Sequence, residues 1–130
     1  MSDPAALPDP GFVPGRHIID TYGNGGFRFA GMSHRGSILL LPSGVRAWVP
    51  TAPGEIDRGA LRPIQAEAAD IELLLVGTGL EIAAIDPALR GWLKNFGVGL
   101  DVMQTGAAAR TYNILVAENR KVAAALIAVA

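Results

Sequence analysis

The chain of 130 residues reads as a single α/β domain. Three observations predict this class. Short apolar or alternating runs, punctuated by glycine and proline, fill the first half as antiparallel strands do. The second half alternates strand, helix, strand, helix, which implies a βαβ unit with at least partly parallel pairing. Half of the residues are hydrophobic, enough for one sizeable core.

Residues 1–15 carry Pro4, Pro8, Pro10 and Pro14 without hydrophobic periodicity. They read as a flexible proline-rich tail ahead of a domain over 16–130. Residues 17–22 read as a strand. Gly23, Asn24, Gly25 and Gly26 are turn chemistry, because glycine and asparagine tolerate positive φ. Phe27-Arg28-Phe29 alternates as the returning strand. Residues 37–41 form a second apolar run closed by Pro42. Residues 45–49 suit a further strand, with Trp48 packing inward. A Pro/Gly segment covers 50–59, and 63–69 fit a short helix or turn.

Residues 71–76, Ile-Glu-Leu-Leu-Leu-Val, are the clearest strand, since a strand buried on both faces is nearly all apolar. Gly77-Thr78-Gly79 ends it. Asp86-Pro87 starts a helix: aspartate caps free amides and proline suits the first position. It runs to about Asn95, with Lys94 near its negative end and Gly97 as a left-handed stop. Residues 98–103 are another strand. Thr105 is the N-cap candidate of a helix from Gly106 to about Glu118. On a wheel of 100° steps, Ala108, Ala109, Tyr112, Leu115 and Val116 share its core face. Asn119 can end it in the left-handed conformation. For residues 122–129 the alanines favour helix, whereas the uninterrupted apolar run suits a central buried strand.

Composition removes several function classes. Eleven Lys and Arg against twelve Asp and Glu leave a net charge of −1, without the basic stripe of a nucleic-acid binder. With no cysteine, thiol chemistry and disulfides are excluded. His17 and His34 are the only histidines and stand in no ligand-spaced cluster, so no metal or cofactor is expected. The first residues lack the pattern of a signal or transit peptide, so neither is expected, and no apolar run approaches the roughly 20 residues of a membrane span. The expectation is a cytoplasmic, bacterial protein.

One crevice is a candidate site. If the strands ending at Val76 and Met103 are parallel neighbours, the loops after them open on one sheet edge, where open α/β sheets bind ligands. Gly77, Thr78 and Gly79 offer backbone amides there. Thr105 and Gly106 offer a helix N-terminus, which attracts anions. Arg110 sits near that positive end, and a carboxylate or phosphate would offset the repulsion. Asn113 either lines the crevice or is polar surface. Set against this, Arg110 can pair with Asp101 or Glu118 or face water. Tyr112 belongs to the core. Glu118 and Arg120 tie down the helix end. Ser33 beside His34 is not a triad. Residues 23–26 lack the full G-x-G-x-x-G and lead into no helix, so they form a turn rather than a dinucleotide loop.

Five stretches carry a family resemblance: Tyr22-Gly-x-Gly-Gly-Phe-Arg, Gly36-Ser-x-Leu-Leu-Leu-Pro, Trp48, Leu73-Leu-Leu-Val-Gly-Thr-Gly, and Thr105-Gly-Ala-Ala-Ala-Arg-Thr-Tyr-Asn-Ile-Leu-x-Ala-Glu-x-Arg. They resemble a family of small α/β proteins of bacteria and archaea that includes a mitochondrial assembly factor for respiratory complex I. The resemblance implies a three-layer domain with a mixed central sheet, its last strand inside the sheet and antiparallel to its neighbours. This favours the strand for 122–129. Many relatives carry a cysteine just before the arginine of the last motif. Ala109 stands there in this chain, so a thiol role does not carry over.

Two functions follow. The first is a non-enzymatic interaction or assembly-factor-like protein, serving respiratory complex I or other membrane machinery through an unidentified protein partner. The second is a small-molecule or anion-binding domain, or an enzyme, using Gly77, Thr78, Gly79, Thr105, Gly106, Arg110 and Asn113. No catalytic residue is assigned. A homo-oligomer is a further possibility.

Overall fold

Two sheets, three α-helices and two short 3-10 turns make up the described residues, 12–130, of the structure, a computed structural model. The first half forms β1 (Val13–Pro14), β2 (Thr21–Gly23), β3 (Gly26–Phe29), β4 (Met32–Arg35), β5 (Ile38–Leu40) and β6 (Gly44–Ala47). The second forms α1 (Arg62–Ala66), β7 (Leu73–Gly77), α2 (Ala88–Lys94), β8 (Gly99–Met103), α3 (Thr105–Ala117) and β9 (Val122–Leu126). The main sheet has six strands in the order β1-β6-β5-β9-β7-β8, and the small antiparallel sheet has the order β2-β3-β4.

The βαβ expectation holds. β7 and β8 are parallel, with Leu73 opposite Gly99 and Gly77 opposite Met103. Residues 122–126 are a strand inside the sheet and fully buried. That strand is antiparallel to only one neighbour, which corrects the expectation. It is antiparallel to β5 but parallel to β7, with Leu73 opposite Val122. The connection explains it: α3 carries the chain back past β7, and a helical crossover delivers a strand in the direction of the one it left.

The two crossovers step in opposite directions along the sheet, from β7 out to β8 and from β8 back to β9. Right-handed crossovers of opposite step place their helices on opposite faces. Accordingly, Leu89 and Leu93 of α2 pack with Leu74, Val76 and Leu100 in one cluster, which also holds Trp48 and Ile64. Ala108, Ala109 and Tyr112 of α3 pack with Leu75, Val122 and Ala124 in the other, together with Phe27 and Phe29 of the small sheet. Alternate residues of β7 and β9 feed alternate clusters, as the two-residue period of a strand requires. The result is three layers, with α3 and the small sheet on one side and α1 and α2 on the other.

Both long helices end as read from the sequence. At Gly97, φ is +79°, and the Val98 N–H donates to Leu93 O at 3.1 Å. At Asn119, φ is +59°, and the Arg120 N–H donates to Leu115 O at 2.9 Å. Both are Schellman closures. Two local expectations need correction. Of residues 17–22, only Thr21 and Tyr22 join a strand, while β4 forms where the sequence offers no apolar alternation. Most of the expected tail lies outside the described residues, but Val13–Pro14 is an edge strand paired with Val45 and Gly44.

Candidate functional site

β7 and β8 end side by side, and the loops after them leave for opposite faces of the sheet. This divergence is the arrangement that opens a crevice in α/β sheets. It brings Gly77, Thr78, Gly79, Thr105 and Gly106 together. The polar groups of Thr78, Gly79 and Thr105, however, bond within the fold. The Thr78 N–H donates to Met103 O at 2.9 Å, and the Thr105 N–H donates to Gly79 O at 2.9 Å. The Gly79 N–H donates to Thr105 Oγ1 at 3.0 Å. The same hydroxyl donates to Ile127 O at 2.7 Å, while the Ile127 N–H reaches Gly77 O at 3.0 Å.

Thr105 is therefore a buried cross-brace and not the N-cap. The cap position is Gln104, with no side-chain capping bond. A Cβ on Gly77 would lie 2.8 Å from Thr105 Cα, so only glycine lets these backbones approach. Thr78 Oγ1 donates to Glu81 O at 2.9 Å and accepts the Ala83 N–H at 3.0 Å, tying down the loop after β7. At Gly106, the hydroxyl of Tyr22 sits where a side chain would begin.

Asn113 forms a two-way clamp on the strap ahead of β2. Its Oδ1 accepts the Ile19 N–H at 2.9 Å and its Nδ2 donates to Ile19 O at 2.8 Å. The amide side chain thus imitates a ladder partner for a residue that has none. Arg110 is exposed and makes no hydrogen bond or ion pair among the described residues, so it pairs with neither Asp101 nor Glu118. Tyr112 is buried at 1% exposure. Burial pushes its hydroxyl up to about 12, against the opposing pull of the Arg16 charge. His34 is occupied structurally, its Nε2 lying 3.1 Å from Ser37 O.

Two features escape the sequence reading. An apolar groove of about 490 Å³ runs between the loop after β7 and β8, lined by Ile82, Ile85, Pro87, Arg90, Leu100 and Val102. Leu80 and Ile82 stand beside it at 70% and 66% exposure. A cleft of about 430 Å³ lies on the small sheet. Among the described residues, no three of His, Cys, Asp or Glu converge as metal ligands, and no helix is long and apolar enough to cross a membrane.

Comparison with known proteins adds context. Residues 19–127 match the family described as "Protein of unknown function (DUF498/DUF598)". An uncharacterized protein of Rhodobacter capsulatus is 41% identical over 119 residues, covering 92% of this chain and 90% of that protein. The NADH dehydrogenase (ubiquinone) 1 alpha subcomplex assembly factor 3 of Xenopus tropicalis is 33% identical over 110 residues. That match covers 85% of this chain but 60% of the assembly factor's own length. Among solved structures, one described as an outer membrane protein from Bartonella henselae superimposes with a TM-score of 0.85 at 49% identity. It covers 90% of this chain and 98% of that one.

Proposed function

Since the chain belongs to the DUF498/DUF598 family, we propose that it is a non-enzymatic interaction protein of the assembly-factor kind. Its client would be respiratory complex I or another membrane-bound complex, met from the cytoplasm. Relatives named as complex I assembly factors support the class of role. The observation that carries it here is the apolar face of the loop after β7. Leu80, Ile82 and Ile114 are the exposed large aliphatic side chains of this half among the described residues, and the first two flank a groove beside the edge strand β8. Covering each such side chain contributes about 1.5–3 kcal/mol, and an unpaired strand edge offers backbone groups to a partner.

The test is purification at endogenous level of the wild type and of a Leu80→Glu/Ile82→Glu variant. The proposal expects a stoichiometric membrane-complex subunit with the wild type and its loss with the variant, at unchanged melting temperature. A variant that retains the subunit overturns the assignment of this face. A homodimer through the same face is the competing use, and sedimentation of the pure chain separates the two.

A second reading keeps Gly77, Thr78, Gly79, Thr105, Gly106, Arg110 and Asn113 as an anion site. Arg110 favours it, as an exposed cation early in α3 with no acidic partner among the described residues. The anion would have to meet Arg110 rather than the amides already bonded within the fold. Loss of phosphate binding in Arg110→Ala at unchanged stability would support this reading. Unchanged binding would remove it.

A further inference from the structure

We propose that the outer face of the small sheet binds a small, multiply charged oxyanion of the phosphate type. This goes beyond the interaction role and uses neither Arg110 nor the strand-end loops.

The cross-strand register places the residues. Thr21 lies opposite Arg28, which lies opposite Ser33; Gly23 lies opposite Gly26, which lies opposite Arg35. Residues directly opposite one another share a face, and so do residues two apart along a strand. Arg28 and Arg35 therefore stand on one face, as diagonal neighbours across β3 and β4, where such positions lie about 7–8 Å apart. Phe27 and Phe29 point the other way, into the core. Both arginines line the cleft of about 430 Å³, and no carboxylate does. An anion held between two like charges on one face would offset their mutual repulsion, and two planar forks suit an oxyanion.

The floor is glycine. A Cβ on Gly26 would collide with the His34 carbonyl, so only glycine lets β3 and β4 close up there. A Cβ on Gly23 would meet nothing within 4 Å, so the missing side chain leaves open volume between the arginines and the turn. The walls are also fixed in advance. Arg28 Nη1 donates to Ser33 Oγ at 2.6 Å, which fixes the guanidinium and leaves its remaining N–H groups and the serine proton for a ligand. The sheet itself is anchored: the Gly25 N–H donates to Val129 O at 2.8 Å and the Gly36 N–H to Gly25 O at 2.7 Å. The volume falls at the lower end of small-molecule pockets, which favours a compact anion over an extended acidic peptide.

The experiment is an amide NMR titration of the full chain with inorganic phosphate at low ionic strength. It compares the wild type with Arg28→Gln, Arg35→Gln, their double variant and a Lys94→Gln control on the opposite layer. The expected result is saturable shifts confined to residues 21–28 and 33–36. Binding should weaken roughly tenfold in each single arginine variant, vanish in the double variant and stay unchanged in the control. Both arginines are exposed, so melting temperatures should agree across the series, and the wild-type shift map locates the site without any variant. Absence of saturation, shifts centred elsewhere, or equal affinity in the double variant overturns the proposal. So does a hexaglutamate peptide that saturates this face where phosphate does not, since the cleft would then recognise an acidic chain.

Discussion

Thr105 stands at the strand ends and Asn113 two turns further along α3, and each bonds backbone within the fold. Replacing Thr105 by valine keeps the shape and orphans the Gly79 N–H and the Ile127 carbonyl. It should cost about 2 kcal/mol by urea denaturation, with the m-value unchanged. Asn113→Ala leaves both backbone groups of Ile19 without their partner and should cost about 1–3 kcal/mol. A change within 0.5 kcal/mol at either position would show that the bonds described do not hold the fold. Thr105 was legible as a residue at a helix start, but not as a cross-brace, because Ile127 lies 22 positions away and no local pattern announces it. Asn113 and Ile19 are 94 positions apart and hidden for the same reason. Tyr112 was legible from the helix wheel, and it makes a pH prediction. Its folded pKa of about 12 lies above the ordinary 10.0, so the unfolded chain ionises first as pH rises. The stabilisation is complete below pH 10 and is lost between about pH 10 and 12, amounting to roughly 2–3 kcal/mol. In Tyr112→Phe that alkaline loss should shrink by this amount. An identical alkaline slope in the variant would contradict a buried, neutral phenol.

At the scale of elements, the two tight turns of the small sheet make a matched pair. Asn24 and Gly25 both have positive φ, +53° and +81°, the geometry of a type I′ turn between β2 and β3. Ala30 and Gly31 repeat it between β3 and β4, with φ of +52° and +73°. Alanine has no side-chain hydrogen bond to offset the left-handed conformation, which costs about 1–2 kcal/mol. Ala30→Asn should therefore raise stability by about 0.5–1 kcal/mol, visible as a higher melting temperature. A lower one would contradict the turn geometry. The first turn was legible because Asn-Gly is the preferred pair. The second was not, and β4 went with it, since Met-Ser-His-Arg offers neither turn chemistry nor apolar alternation. By contrast, the near-continuous apolar run of β7 and the 3.6-residue period of α3 carry their burial in the sequence itself. Residues 122–129 do not: alanine suits both helix and strand, and only their place between β5 and β7 decides.

For the whole molecule, the alternation of strand and helix in the second half made the βαβ unit legible. The strand order did not follow from it, because returning past β7 to form β9 is a choice among long-range pairings. That choice puts α2 and α3 on opposite faces, brings the loops after β7 and β8 to a common edge, and lets Thr105 close the gap between them. The apolar loop beside β8 and the arginine-bearing face of the small sheet are exposed on opposite layers. The role proposed for this chain is assembly of respiratory complex I or another membrane-bound complex. The most direct measurement is the amount of assembled complex I in membranes of the encoding organism after deletion of this gene, read on a native gel with complementation by wild type and by Leu80→Glu/Ile82→Glu. The expected result is a loss of assembled complex with accumulation of subassemblies, restored by the wild type and not by the variant. Undiminished assembly in the deletion strain would contradict it.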